Sequence, residues 1–87
     1  MRVLFLGDVM GRAGRDAVKK SLKNLKQSLS LDFVIVNGEN ATAGFGLSMA
    51  HANELLDSGV DCLTLGDHAF DQKDMISGIS SEPRIIR

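Results

Sequence analysis

Cysteine is almost missing from this sequence, and its single occurrence, Cys62, excludes an internal disulfide and fits a reducing compartment. Cys62 lies inside the run Val60-Asp61-Cys62-Leu63-Thr64-Leu65, where it is expected to serve as a small buried hydrophobe rather than a nucleophile. Tryptophan and tyrosine are absent, so the aromatics are all Phe and any core must be built from Val, Leu, Ile and Met. No stretch approaches the ~20 apolar residues of a membrane span. Met1-Arg2-Val3-Leu4-Phe5-Leu6 runs into Gly7-Asp8 too soon to be the apolar part of a signal peptide. These absences point to a cytoplasmic protein with no membrane partner.

Basic residues are missing from the middle of the chain. Between Arg12 and Lys26 lie six basic residues and one acid, Asp16, whereas from Gln27 to Gln72 there are seven acids and no Lys or Arg. The net charge of −1 excludes attraction to nucleic-acid duplexes or membranes by the field of the whole chain. The acidic stretch carries no counter-charge of its own, so its carboxylates must be solvated or meet a bound cation. Solvation accounts for Glu54 and Asp57. It accounts poorly for Asp8, Glu39 and Asp67, each of which follows an apolar run. The 87 residues suit one small domain or part of a larger one, and a domain this short is marginal because it buries a modest fraction of its surface.

What is present is regular. Three short apolar runs, Val3 to Leu6, Phe33 to Val36 and Cys62 to Leu65, end at Gly7-Asp8, Asn37-Gly38-Glu39-Asn40 and Gly66-Asp67-His68. Continuous apolar runs of this length suit parallel strands covered on both faces. Between the first two, Val18, Leu22, Leu25 and Leu29 step at helical spacing. Lys19, Lys20, Lys23 and Lys26 fill the other face, and Asp16 is placed to pair with Lys20. Ser48 can cap a second helix from Met49 to about Ser58, stopped by Gly59. Asp71 can cap a short third, with Asp74 in the capping-box position. Arg84-Ile85-Ile86-Arg87 reads as a fourth strand after Pro83. The order β-α-β-α-β-α-β predicts an α/β unit with a parallel sheet and right-handed crossovers. The chain stops inside an apolar run, as a truncated chain would.

Ligands of open parallel sheets bind beyond the carboxyl ends of the strands. Here those ends carry Asp8, then Glu39 with Asn40, then Asp67 with His68. All are hard oxygen or imidazole donors, a set that suits Mn, Fe or Mg. Each has a plainer reading: Asp8 as a helix cap or turn residue, Glu39 as a solvated loop acid, Asn40 in a left-handed or Asx turn, His68 as a hydrogen-bonded loop histidine. What favours the ligand reading is that three strands deliver such groups to one edge. His51, inside the second helix beside Ala50 and Ala52, is expected to be structural.

The glycines Gly7, Gly11 and Gly14 sit at a strand-to-helix turn but match neither G-x-G-x-x-G nor the P-loop spacing, so both phosphate-cradle motifs fail. Ala41-Thr42-Ala43-Gly44-Phe45-Gly46 is a small-residue loop that lets backbone approach a ligand.

Taken together, Gly7-Asp8, Asn37-Gly38-Glu39-Asn40-Ala41 with Gly44-Phe45-Gly46, and Thr64-Leu65-Gly66-Asp67-His68 with Phe70-Asp71 resemble the YmdB-like metallophosphoesterases, a branch of the calcineurin-like superfamily. The resemblance runs over all 87 residues, including Glu82-Pro83-Arg84-Ile85-Ile86-Arg87. It implies the N-terminal part of a single four-layer α/β/β/α domain, two divalent metal ions, and hydrolysis of phosphodiesters such as 2′,3′-cyclic nucleotides. Asp8, Glu39, Asn40 and Asp67 match metal ligands. Asn40 also matches a phosphate contact, and His68 the histidine that assists the leaving group. Asp67 departs from the family's Asn and Phe70 from its Trp, and the remaining histidine ligands come from beyond residue 87. Residues 1–87 alone are therefore expected to be inactive. The rival readings are a non-catalytic metal- or nucleotide-binding fragment, and a receiver-like domain with Asp8 as phospho-acceptor, for which the Lys ending a later strand is not visible. The expected partner is a small phosphodiester, with homo-oligomer formation left open.

Overall fold

The computed structural model describes residues 1–42, 46–66, 75 and 78–86. Within them four strands, β1 (Val3–Leu6), β2 (Phe33–Asn37), β3 (Cys62–Thr64) and β4 (Ile85–Ile86), form one parallel sheet in the order β1-β2-β3-β4. Helix α1 (Gly11–Ser28) joins β1 to β2, and α2 (Met49–Asp57) joins β2 to β3. A single 3₁₀ turn, Ile79–Ser81, precedes β4. The α/β class and the parallel alternation are as the sequence predicts. The third helix expected from Asp71 falls largely outside the described residues.

Sequential strand order with crossovers of one hand places successive helices on one face of the sheet. The core obeys this: Val34, Val36, Leu63 and Ile85 from the strands meet Val18 and Leu22 of α1 and Ala52, Leu55 and Leu56 of α2 in one buried cluster. The alternate strand residues point the other way, and there Val3, Phe5, Phe33 and Ile86 are exposed, Phe5 at 59% and Ile86 at 52%. Among the described residues the sheet is thus covered on one face only, contrary to the expectation from its apolar runs.

The stripe on α1 is shorter than its periodicity suggested. Val18 and Leu22 are buried and Leu25 half-buried, but Leu29 lies at the helix end, past the sheet, and is 42% exposed. Asp16 pairs with Arg12 (3.8 Å) and Lys19 (4.0 Å), not with Lys20. Lys19 reaches across to Glu54 on α2 at 2.7 Å, so this acid is bridged rather than simply solvated, and the lysine's hydrogen bond holds its pKa below the usual carboxylate range. Lys26 lies 3.9 Å from Asp61, which also accepts from the Val34 N–H at 2.8 Å. Counter-charge for the acidic middle of the chain comes from α1, through tertiary contact.

Ser48 caps α2 as expected, its side chain accepting from the His51 N–H at 3.2 Å. Cys62 is half-buried, and burial pushes its thiol pKa up, an inert setting for a nucleophile. No helix among the described residues is long and apolar enough to cross a membrane.

Candidate metal centre

Parallel strands end together, so the residues after β1, β2 and β3 are placed side by side by the sheet itself. The Gly38 N–H donates to Thr64 O (3.0 Å) and the Val9 N–H to Asn37 O (3.1 Å), which stitches the three strand exits into one edge. Asp8 leaves β1 with φ 42°, in the left-handed region. For a residue other than glycine that costs about 1–2 kcal/mol, although Asp tolerates it better than most. Strain of this kind at a candidate ligand is where function is to be sought. The left-handed conformation considered for Asn40 falls instead on Asp8, and Asp8 does not cap α1, whose N-cap is Met10 with no side-chain bond.

Asn40 reaches back from the β2 exit and donates its Nδ2 to Asp8 Oδ1 at 2.8 Å, a side-chain bond across 32 residues of sequence. Since the NH₂ end of the amide is engaged there, its Oδ1 is left as a hard donor. Glu39 turns the other way, toward the β3 exit. Its carboxylate lies over Gly66 so closely that a methyl group at that position would sit 2.5 Å from Oε2 and 3.0 Å from Oε1. A side chain at Gly66 would push the Glu39 carboxylate from this position. Asn37, the last residue of β2, donates weakly to Glu39 Oε1 and to Thr64 Oγ1, both at 3.4 Å, and its own Oδ1 is buried with no partner among the described residues.

The edge so built brings Asp8 and Asn40 together and carries Glu39 to Gly66, the residue before Asp67. Asp67 and His68 lie outside the described residues. Among the described residues there is no group of three His, Cys, Asp or Glu at metal-binding spacing, and neither Asp8 nor Glu39 takes part in an ion pair. Two carboxylates and an amide at one edge, neither carboxylate ion-paired among the described residues, are the donor chemistry that suits a hard divalent ion.

Behind this edge the turn Gly38 to Ala41 is held against α1. The Gly11 N–H donates to Asn40 O (3.0 Å), and the Ala41 N–H closes the turn onto Gly38 O (3.1 Å). Arg15 donates its Nη1 to Ala41 O at 2.6 Å from a side chain only 9% exposed. Gly14 lets α1 approach this closely, since a methyl there would meet Val9 Cγ1 at 3.0 Å. That packing explains Gly14, part of a glycine pattern that matched no phosphate-binding motif. Asp8 also stands at the polar end of an open, largely apolar cleft of about 380 Å³ between the β1 edge and α1.

Sequence reading missed Arg15 and Asn37. Arg15 was legible: it stands three residues before Val18 and seven before Leu22, on the apolar stripe rather than among the solvated lysines. Asn37 was taken with its turn, and only the register Asn37 to Thr64 shows it as a strand residue supporting Glu39. His51 lies with its Nδ1 2.7 Å from Thr42 Oγ1, which also accepts from the Ser48 N–H at 2.9 Å.

Residues 4–87 match the family model described as YmdB-like protein. The chain is 42% identical over 87 residues to a Bacillus subtilis protein named 2′,3′-cyclic-nucleotide 2′-phosphodiesterase, covering all of this chain and 33% of the relative. Among solved structures it resembles a hypothetical protein of Thermus thermophilus (TM-score 0.92, 42% identity, 100% of this chain and 33% of the other). It also resembles a structure described as a novel phosphatase of Mycoplasma pneumoniae (TM-score 0.92, 41% identity, 98% and 30%). The chain spans about a third of the length of the relatives it matches.

Proposed function

The chain belongs to the YmdB-like family, and from that membership we propose that it forms part of a metal-dependent phosphoesterase that hydrolyses phosphodiesters, 2′,3′-cyclic nucleotides among them. The observation that carries the proposal is that Asp8, Asn40 and Glu39 all leave strands at one sheet edge, with the Asn40–Asp8 bond of 2.8 Å and Glu39 laid over Gly66 at the neighbouring strand exit.

In this reading Asp8, Glu39, Asn40 and Asp67 hold two divalent ions, Fe, Mn or Mg. When bound, such ions supply charge neutralisation at the phosphoryl oxygens and acidify water. The chain's own groups do the rest. Asp8, fixed by Asn40, presents its carboxylate between the β1 and β2 exits, and Glu39 spans from β2 to β3. Asn40 Oδ1 is available to metal, and the amide as a whole orients the phosphate. His68 binds substrate and gives a proton to the departing alkoxide. The free thiol of Cys62 is consistent with work in the cytoplasm. Residues 1–87 alone would retain metal weakly and turn nothing over, since the family resemblance puts the remaining histidine ligands later in the chain.

The test uses the protein at its full encoded length, stripped of metal and reloaded. Hydrolysis of 2′,3′-cyclic AMP should depend on Mn²⁺ or Fe²⁺ and be lost in Asp8→Asn and Glu39→Gln, while His68→Ala should lower kcat with metal content unchanged. Metal-independent hydrolysis, or none of any phosphodiester, would contradict the proposal.

A further inference from the structure

Asn37 holds its side chain in an arrangement that packing alone would not select. It is the last residue of β2 and half-buried. Its backbone is fixed by the Val9 N–H to Asn37 O bond at 3.1 Å and by the register that sets it opposite Thr64 on β3. Its Nδ2 lies 3.4 Å from Glu39 Oε1 and 3.4 Å from Thr64 Oγ1, while its Oδ1 is buried with no partner among the described residues. A buried acceptor left unpaired costs stability. Turning the amide over would let Oδ1 accept from the Thr64 hydroxyl and end that cost, but it would also set an oxygen against the Glu39 carboxylate. The amide therefore keeps its donors toward the charge and leaves its acceptor unmatched.

Glu39 depends on this donor. Its carboxylate makes no other hydrogen bond and no ion pair among the described residues. On its other side lies Gly66, which brings no side chain to hold it. A Glu side chain is long and rich in rotamers, so contact on one side does not fix its direction. Asn37 is shorter, and its Cα belongs to a hydrogen-bonded strand. At 3.4 Å its bond to Glu39 is long, and the negative charge on the acceptor strengthens it. With two hydrogens on one nitrogen, the amide spans the β2 and β3 exits and aims one of them at Glu39.

We infer that Asn37 is a positioning residue: its amide donor, held between Glu39 and Thr64, keeps the Glu39 carboxylate over Gly66 and so sets how tightly the edge binds a divalent ion. The effect on metal rests on the reading above that Glu39 is a ligand, whereas the placement of Glu39 does not. A packing role makes Asn37 matter for stability and not for Glu39. A positioning role gives the reverse, because an apolar residue of similar size would remove the unpaired acceptor along with the donor.

The experiment compares wild type with Asn37→Leu and Val36→Ala, all at full encoded length. Leu has nearly the shape of Asn and no polar side-chain atom. Val36 is fully buried on the same strand and serves as a control for general destabilisation. In metal-free protein the scalar couplings along the Glu39 side chain should report one rotamer in wild type and in Val36→Ala, and average toward free rotation in Asn37→Leu. Asn37→Leu should melt at or above the wild-type temperature, since it removes the unpaired acceptor. Its Mn²⁺ affinity should fall about tenfold, the lower end of what losing an outer partner of a ligand costs. Val36→Ala should melt lower and bind Mn²⁺ as wild type does. An Asn37→Leu protein that melts lower yet keeps the wild-type Glu39 couplings overturns the inference, as do couplings already averaged in wild type. If Asn37→Leu does not fold, Asn37→Ala, which adds no bulk, is judged by the same Glu39 couplings. If Glu39 loosens while Mn²⁺ affinity holds, or wild type binds no Mn²⁺, the metal-site reading fails, and the metal-free couplings still decide on Asn37.

Discussion

At the scale of single residues, Gly66 separates packing from chemistry most cleanly. A methyl group there would collide with the carboxylate of Glu39, the far end of a flexible side chain, and not with backbone. Glu39 can swing away at little cost, so Gly66→Ala should change stability by less than about 1 kcal/mol, as most substitutions at exposed positions do. The carboxylate would then be misplaced at the β3 exit. Divalent-metal affinity should fall about tenfold or more, in the range found when the support of a ligand is lost. Calorimetric titration with Mn²⁺ alongside a melting curve measures both, and a variant that melts normally and binds normally would remove Glu39 from the site. Asp67 gives a prediction of opposite sign. It places a carboxylate where the resembling family has an amide, so Asp67→Asn should weaken metal binding by removing a charge at ligand distance. Equal or tighter binding would show that Asp67 is not a ligand.

Among the elements, α1 carries the fold and the site together. Its second turn supplies Arg15 to the ligand turn, and its middle supplies Val18 and Leu22 to the core. Leu22 is fully buried, so Leu22→Ala should cost about 3 kcal/mol through lost burial and the cavity left behind. Leu29→Ala, at an exposed helix end, should cost well under about 1 kcal/mol. Urea unfolding of the two variants distinguishes them, and equal costs would mean that the four-residue apolar stripe and not the sheet's extent decides burial. Across the helix the Lys19–Glu54 and Lys26–Asp61 pairs tie α1 to α2 and to the start of β3. These pairs are partly exposed and are worth little individually. Their interest is that they supply the cations that the chain from Gln27 to Gln72 lacks, which the local composition could not reveal.

For the molecule as a whole, the open sheet face is the feature that demands a partner. Val3, Phe5, Phe33 and Ile86 stand exposed together on one side of the strands whose other side is the core. Exposed apolar surface of this kind marks an interface, and the relatives are about three times as long. Residues 1–87 produced alone should associate, with a sedimentation coefficient that rises with concentration, and Phe5→Gln should reduce that association. The Bacillus subtilis relative, about three times as long, should show neither behaviour. A monomeric 87-residue product that binds no apolar dye would mean the face is tolerated in water as it stands.

Local pattern was enough for the strands and helices, because apolar runs and helical spacing are properties of neighbours in sequence and the Ser48 cap is made within four residues. The same pattern located Asp8, Glu39 and Asn40, since a parallel sheet sends every strand's carboxyl end to one edge whatever the details. The tertiary structure alone decided which side chains touch there. Asn40 turns to Asp8 across 32 residues, Glu39 turns to Gly66, and Arg15 reaches Ala41 across 26. Directions of that kind depend on register and on how closely α1 approaches the strand ends, which one chain's spacing does not encode. The sheet's second face follows the same logic. Apolar alternate positions say that a strand is buried on both sides, but only the packed chain shows that its own helices cover one of them.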